Sequence, residues 1–362
     1  MKSVTIKGRS YKLPIYLPDA TKGVTKSIDV QDLVKAGIEG VVVNTYHLMN
    51  SPGIKVLKEF NGIKSFMNFS ELVVSDSGGW QVFSLIRRNG RQGKIEDKGV
   101  TFLEENKKEV KIFTPEISIK TQFVINSDIV ICLDDFTSPQ ATKTQAKETV
   151  RRTLWWAKRS KVEFNRMLKK YGLSEKNRPH LYAVVQGGYF KELRKECALG
   201  LQEIGFDGYG YGGYVVDEKG NLDLELSQYI CDLLPQDKPK FALGIGRPKD
   251  IVNLSMMGWD IFDCTLPTRD ARHKRLYSLE GKPAKAKDLT KPSAFSYIYI
   301  DKKIYEHDQK PISASCSCHT CQNFSRAYLR HLFKIGDTLA YRLATIHNIA
   351  TYSRVIEILR TN

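Results

Sequence analysis

The sequence predicts an α/β protein built as a (β/α)8 TIM barrel that carries a zinc-binding subdomain near its C-terminal end. Two observations point to the barrel. Short apolar runs recur eight times, and each ends in polar or glycine residues with an amphipathic stretch before the next run. A third observation, three cysteines within six positions, points to the appended metal-binding region.

The runs come in order. KLPIYLP leads to Asp19, GVVV to Asn44, LVVS to Asp76 and DIVICL to Asp134 and Asp135. LYAVV then leads to Gln186, FDGYGY to Gly212 and Gly213, KFALGIG to Gly246, and IF to Asp263. Their length, β-branching and flanking glycines predict buried strands. Helical patterns fall at 29–37, 140–170, 190–204, 224–234 and 247–257, and Thr114 ahead of Pro115 marks another helix start. An open doubly wound sheet is the structural alternative. Eight repeats with polar residues at nearly every strand end favour the closed barrel, in which those ends share one mouth. Residues 94–113 read as an inserted hairpin with a charged tip at 104–108. Past Thr268 the pattern changes. Residues 275–310 have little helical character, and two helical patterns at 325–334 and 337–360 follow the cysteines. The expected organisation is a barrel core over 1–274 and a metal-binding region with closing helices over 275–362.

Lys and Arg number 56 against 40 Asp and Glu, a formal net charge of +16. That surplus favours a polyanionic partner, because each phosphate neutralised releases condensed counterions. The N-terminal segment lacks the apolar core of a signal peptide, and no apolar stretch is long enough to span a bilayer. Seven cysteines, four of them isolated (Cys132, Cys197, Cys231 and Cys264), do not form a disulfide framework. A cytoplasmic protein is expected.

CSCHTC supplies Cys316, Cys318 and Cys321, and three thiolates this close suit a tetrahedral, soft-ligand ion, zinc first. His319 would have to fold back onto the ion, so His331 and His347 are the better fourth ligands. Asp76, Asp134 and Asp263 each stand at a strand end. One alone reads as a turn or helix cap. Three in one mouth cannot all ionise cheaply, so they divide into acid and base, the equipment for cleaving a glycosidic bond. Gly78 and Gly79 beside Asp76 let backbone approach a ligand, and Trp80 offers a face for a base or packs as a core aromatic. The segments 244–250 (GIGRPKD) and 267–272 (PTRDAR) place Arg247, Lys249, Arg269 and Arg272 past strand ends, where guanidinium groups could grip phosphate.

In these residues and the motifs around them, the chain closely resembles the tRNA-guanine transglycosylases along almost its whole length. The matching motifs are NTYHL (44–48), SDSGGWQVFSL (75–85), TPEISIKTQ (114–122), WAKRSK (156–161) and VVQGG (184–188). FDGYGYGG (206–213), GIGRP (244–248), FDCTLPTR (262–269) and CSCHTCQNFSRAYLRHL (316–332) continue the match. The resemblance implies an enzyme that exchanges guanine at the anticodon wobble position of tRNA for a 7-deazaguanine. Asp263 would be the nucleophile and Asp76 the general acid/base. Ser77, Gly78, Gly79, Trp80, Asp134, Gln186 and Gly213 would form the base site. Gly244, Ile245, Gly246, Arg247, Pro248, Lys249, Asp250, Thr268, Arg269, Asp270, Ala271 and Arg272 would contact tRNA. Cys316, Cys318, Cys321 and His347 would hold a structural zinc ion, and a homodimer is expected.

Departures from the bacterial pattern cluster at the base-recognition wall. Asp135 and Phe136 follow Asp134 where Glu and Cys are usual, Tyr214 replaces a small aliphatic residue, and Asp217 replaces a glycine. They leave open whether the incoming base is an aminomethyl-deazaguanine precursor or queuine. The C-terminal RNA-binding extension of archaeal relatives is not expected, which leans the reading to a bacterial-type enzyme. Three rivals are weighed. A non-catalytic tRNA-binding homologue would be expected to lose one catalytic Asp. A related enzyme acting on DNA lacks support from PTRDAR, which resembles the anticodon-reading segment. A sugar glycosidase explains neither the cysteines nor the basic mouth.

Overall fold

Alternation along each strand decides what faces the barrel axis, because successive side chains point to opposite sides. In the computed structural model, which describes residues 2–361 except 85, 87–92, 104–109, 214–215, 217–219 and 282, eight parallel strands form one sheet. They are β1 (Ile15–Pro18), β2 (Gly40–Asn44), β3 (Leu72–Asp76) and β4 (Ile129–Ile131). β5 (His180–Val185), β6 (Gly208–Tyr211), β7 (Lys240–Ala242) and β8 (Ile261–Cys264) complete the set. Neighbours pair in sequence around the ring from β2 to β8 and on to β1. A parallel bridge between Asp19 and Val42 joins β1 to β2, so the sheet is a nearly closed barrel.

Ile15, Leu17, Val42, Leu72, Val74, Ile129, Ile131, Tyr182, Val184, Phe241 and Ile261 fill its interior. Val4, Ile6, Tyr11 and Leu13, from the N-terminal hairpin Ser3–Ile6 and Arg9–Lys12, join the same cluster and plug one end. Inside β6 the glycines are a packing requirement, since a Cβ at Gly208 would stand 2.5 Å from the Tyr182 ring. The same parity carries Asp19, Asn44, Asp76, Gln186, Leu243 and Asp263 inward at the other end, one step beyond the apolar fill.

The outward residues of the strands (Tyr16, Val41, Val43, Val73, Val130, Ala183 and Phe262 among them) bury against the helices. Helix Pro115–Ile125 starts on Thr114, whose side chain accepts from the Ile117 N–H, with proline at its first position. Lys143–Tyr171 opens on a capping box between Thr142 and Gln145 and ends at Gly172 in the left-handed conformation. Among the described residues no helix is long and apolar enough to cross a membrane.

The segment read as a hairpin over 94–113 has three antiparallel strands, Gly93–Glu96, Gly99–Leu103 and Val110–Phe113. The extra strand forms because Asp97 and Lys98 make a tight turn ahead of Gly99. Its charged tip lies outside the described residues. Val100, Phe102 and Phe113 seat this sheet on Tyr46, Leu133 and Trp156. After β8 a short helix, Leu266–Arg272, leads into the strand pair Arg275–Leu279 and Phe295–Tyr299, then helices Arg326–Ile335 and Leu339–Arg360. The last helix spans two cores. Ala340, Leu343 and Ala344 pack with the cysteine region, while Ile349, Tyr352 and Val355 pack with the barrel.

Candidate active site and metal centre

At the C-terminal end of the strands lies a cleft of about 1490 Å³. Asp19, Asn44, Asp76, Trp80, Asp134, Phe136, Gln186, Gly213, Leu243, Gly244, Arg247, Asp263 and Arg269 are among the residues that line it. Three of the four carboxylates, Asp76, Asp134 and Asp263, are the ones the sequence places at strand ends with a chemical role.

Asp76 accepts a hydrogen bond from Asn44 Nδ2 at 2.7 Å. Burial raises its pKa to about 6 against the opposing pull of hydrogen bonds from Asn44, Gln81 and the Ser77 and Gly78 backbone. Asp263 accepts from the Gly244 N–H at 2.7 Å. Burial, with the charges of Asp76 and Asp19 added, raises it to about 7. Asp134 is likewise raised to about 7 by burial, with Asp76 and Asp135 adding to the shift and Gln186 opposing it. Each carboxylate keeps an edge open to the cleft, and like charges across it make them titrate as a set.

Gln186 is held in one orientation. Its Oε1 accepts from the Thr137 N–H at 3.1 Å, so its Nε2 donates to Asp134 Oδ2 at 2.6 Å. Ser77 Oγ lies 3.4 Å from Asp134 Oδ1 and accepts from the Gly79 N–H at 3.2 Å. Gly79 has to be glycine, because a Cβ there would sit 2.8 Å from Asp134. Gly78, at φ +91°, turns the chain into the short helix Gly79–Phe83. That helix presents Trp80 to the cleft with 46% of its surface exposed, and the apolar Leu243 lines the same cleft. A tryptophan so exposed beside acidic groups is available to stack on a planar ligand. Phe136 packs on Phe83, ring centroids 4.6 Å apart, and forms an apolar wall of the same cleft. Asp135 points away from it into an ion pair with the buried Arg152. Tyr214 and Asp217 lie outside the described residues.

The residues read as nucleic-acid contacts fall into two groups. Arg247, Lys249 and Arg269 are exposed and Arg272 is partly so. Ile245, Gly246, Pro248, Thr268, Asp270 and Ala271 are buried and support them from beneath, with Asp250 partly buried and Gly244 exposed at the cleft wall. Asp270 is held by Arg275 at 2.6 Å and by the Tyr277 hydroxyl. Thr268 Oγ1 donates to Thr265 O at 3.1 Å, and Arg272 Nη1 returns to Thr268 O at 2.9 Å. Cys264 Sγ occupies the space where a Cβ of Gly246 would stand.

Cys316, Cys318, Cys321 and His347 bring their ligand atoms within 4.8 Å of one another. His347 Nδ1 lies 3.2 Å from Cys321 Sγ and 3.8 Å from Cys318 Sγ. Its Nε2 lies 2.6 Å from the Tyr277 carbonyl. A carbonyl only accepts, so the proton sits on Nε2 and the Nδ1 lone pair faces the sulfurs, the arrangement a ligating histidine needs. His319 and His331 are both exposed, and His319 packs against Phe324 instead. His347 is therefore the histidine placed to complete the set, and the Cys3His donors fit a tetrahedral soft-metal site.

Sequence reasoning gave no role to several groups at the cleft. Asn44 and Asp19 end their strands, and that position was the available signal. Leu243 follows β7 by parity. Behind the cleft, Arg194 gave no signal, being a charged residue in a pattern that reads as a surface helix.

The chain matches the TGT protein family, described as queuine tRNA-ribosyltransferase, over residues 1–362. It is 37% identical over 357 residues to the queuine tRNA-ribosyltransferase of Acinetobacter baumannii (strain SDF), covering 99% of this chain and 88% of that one. The proteins of the same name from Acinetobacter baylyi and Pseudoalteromonas translucida are 37% and 38% identical over 347 residues. These matches span 96% of this chain and 83% and 85% of those relatives.

Proposed function

Since the chain belongs to the queuine tRNA-ribosyltransferase family, we propose that it exchanges guanine at the wobble position of tRNA for a 7-deazaguanine through a covalent aspartyl–ribosyl intermediate. The observation that carries this reading is the pair Asp76 and Asp263, two carboxylates at the ends of β3 and β8 that line one cleft. Asp263 is ionised when it attacks C1′ of the target guanosine. The C1′–N9 bond breaks, and Asp76 delivers a proton to the departing guanine. The intermediate is an ester between Asp263 and C1′. The incoming base then gives its N9 proton to Asp76 and attacks C1′, releasing the Asp263 carboxylate. One N-glycoside replaces another, so no energy source is required.

Asp134 and Gln186 would read the purine edge together with the Gly213 backbone, while Trp80 and Leu243 would enclose its faces. Arg247, Lys249, Arg269 and Arg272 would hold the backbone of the anticodon loop. Phe136 narrows the wall beside Asp134, which favours a compact 7-substituent, as in the aminomethyl-deazaguanine precursor, over queuine. Cys316, Cys318, Cys321 and His347 would hold a zinc ion whose four positions are filled by protein, so its part is structural. A homodimer in the cytoplasm is the expected state, and light scattering at micromolar concentration tests the dimer.

The deciding experiment incubates the protein with tRNA carrying labelled guanine at the wobble position, and adds each candidate base in turn. Release of label that depends on the added base supports the reading. Retention of label with every base overturns it. Asp263→Asn is expected to bind tRNA and release nothing.

A further inference from the structure

Helix Lys191–Ile204 carries Arg194, which is 0% exposed. A buried guanidinium ordinarily faces a carboxylate, because an unpaired charge in the interior costs several kcal/mol. Arg194 faces none among the described residues. Its partners are three backbone carbonyls: Val185 O at 2.6 Å and Gly212 O at 2.6 Å from Nη1, and Gly188 O at 2.9 Å from Nε. Its plane lies over the Tyr211 ring, 5.2 Å from the centroid. Nη2 has no hydrogen-bond partner among the described residues, and a Cβ built on Gly213 would stand 3.3 Å from it. The cation therefore sits directly behind the two turns that follow β5 and β6, on the side away from the cleft.

The direction of one of these bonds matters. The Gly212 carbonyl and the Gly213 N–H belong to one planar trans peptide and point in opposite directions. With the carbonyl fixed on Arg194, the Gly213 N–H is turned the other way. Gly213 lines the cleft and has φ +79°, a conformation glycine reaches without strain. A charge-assisted bond holds its carbonyl more firmly than a neutral donor would.

We propose that Arg194 is a positioning residue that aims the Gly213 N–H at the 6-oxygen of the bound purine, so that discrimination for a 6-oxopurine depends on a cation the ligand never touches. The proposal rests on the base-exchange reading above. Without the guanidinium the 212–213 peptide loses its anchor and can rotate, and the N–H is no longer presented. Only a base with an acceptor at position 6 should feel this.

The test uses the full chain, with Arg194→Met, which keeps bulk without charge, and Arg194→Lys, which keeps charge but cannot span three carbonyls. The readouts are KM for guanine, the inhibition constant of 2-aminopurine (which lacks the 6-oxygen), Kd for tRNA, and Tm. The expected result is a guanine KM raised on the order of tenfold, the effect of one lost hydrogen bond. Inhibition by 2-aminopurine, tRNA binding and Tm should change little. Equal weakening of both purines, or no change in either, overturns the proposal. So does failure of both variants to fold, which would assign Arg194 to stability alone. Absence of base exchange by the wild-type chain would instead remove the functional reading itself.

Discussion

The three cleft carboxylates imply that this protein gives up stability in the cleft proposed as its active site, and Asp263→Asn measures how much. The Asp263 carboxyl is held at about 7, against its ordinary 3.8. Ionising it inside the fold therefore costs on the order of 4 kcal/mol at high pH. Water in the open cleft screens that cost, and Asp76 shares it, so about 2 kcal/mol is the working figure. The sign follows from proton linkage. The folded state holds its proton more tightly than the unfolded chain, so the carboxyl stabilises the fold fully below pH 3.8. This contribution declines as pH rises and is gone above about 7. Asparagine carries no proton to lose and can still accept from the Gly244 N–H. Urea unfolding at pH 4 and pH 8.5 should show Asp263→Asn more stable than wild type by about 2 kcal/mol at pH 8.5, with most of the gap closed at pH 4. A variant less stable than wild type at pH 8.5, or a gain independent of pH, would refute the account of a strained nucleophile.

Further outcomes are expected from the same structure. Exchange needs Asp263 ionised and Asp76 protonated, so kcat/KM should pass through a maximum between about pH 6 and pH 7 and fall on either side; a flat profile from pH 8 to pH 5 would count against it. Metal analysis should find about one zinc per chain, and Cys318→Ser should lower Tm on the order of 10 °C while Asp76 and Asp263 remain in place. A metal-free protein with unchanged Tm would refute that. Phe136→Ala should open the wall shared with Phe83 and lower KM for queuine relative to the aminomethyl-deazaguanine, read by base competition. An unchanged ratio would show that Phe136 does not set the size limit.

Most of the barrel was legible because its signals are local. Each strand run had its own length and flanking residues, and the cap at Thr114 came from a side chain three positions from the N–H it binds. The carboxylates proposed for catalysis were legible for a related reason. Asp76 and Asp263 extend the inward parity of Leu72 and Val74 and of Ile261, so an apolar pattern fixes where a polar side chain points. Groups whose place depends on distant chain were less legible, and the residues alone left His331 and His347 both open as the fourth ligand. His347 faces the sulfurs only because Tyr277, 70 residues away, takes its other nitrogen. Arg194 occupies a helix face that would suit solvent, and only the approach of the 185–188 and 212 carbonyls makes its burial possible. The extra strand of the insertion was missed because Asp97 and Lys98 fold Gly93–Glu96 onto a segment read as the start of the hairpin.

The helix Leu339–Arg360 bears on more than the cysteines it closes. One turn past His347, Tyr352 donates its hydroxyl to Gly246 O at 2.7 Å, and Asn348 joins Pro267 O and Arg275 O at 3.0 Å each. The same rod thus clasps the cysteine loop, the arginine-bearing helix and the glycine turn ahead of Arg247. On the proposed reading, damage to the thiols, by oxidation for example, would slacken the segments that bear Arg247 and Arg269 while the carboxylates stayed in register, so nucleic-acid binding would fail before base exchange.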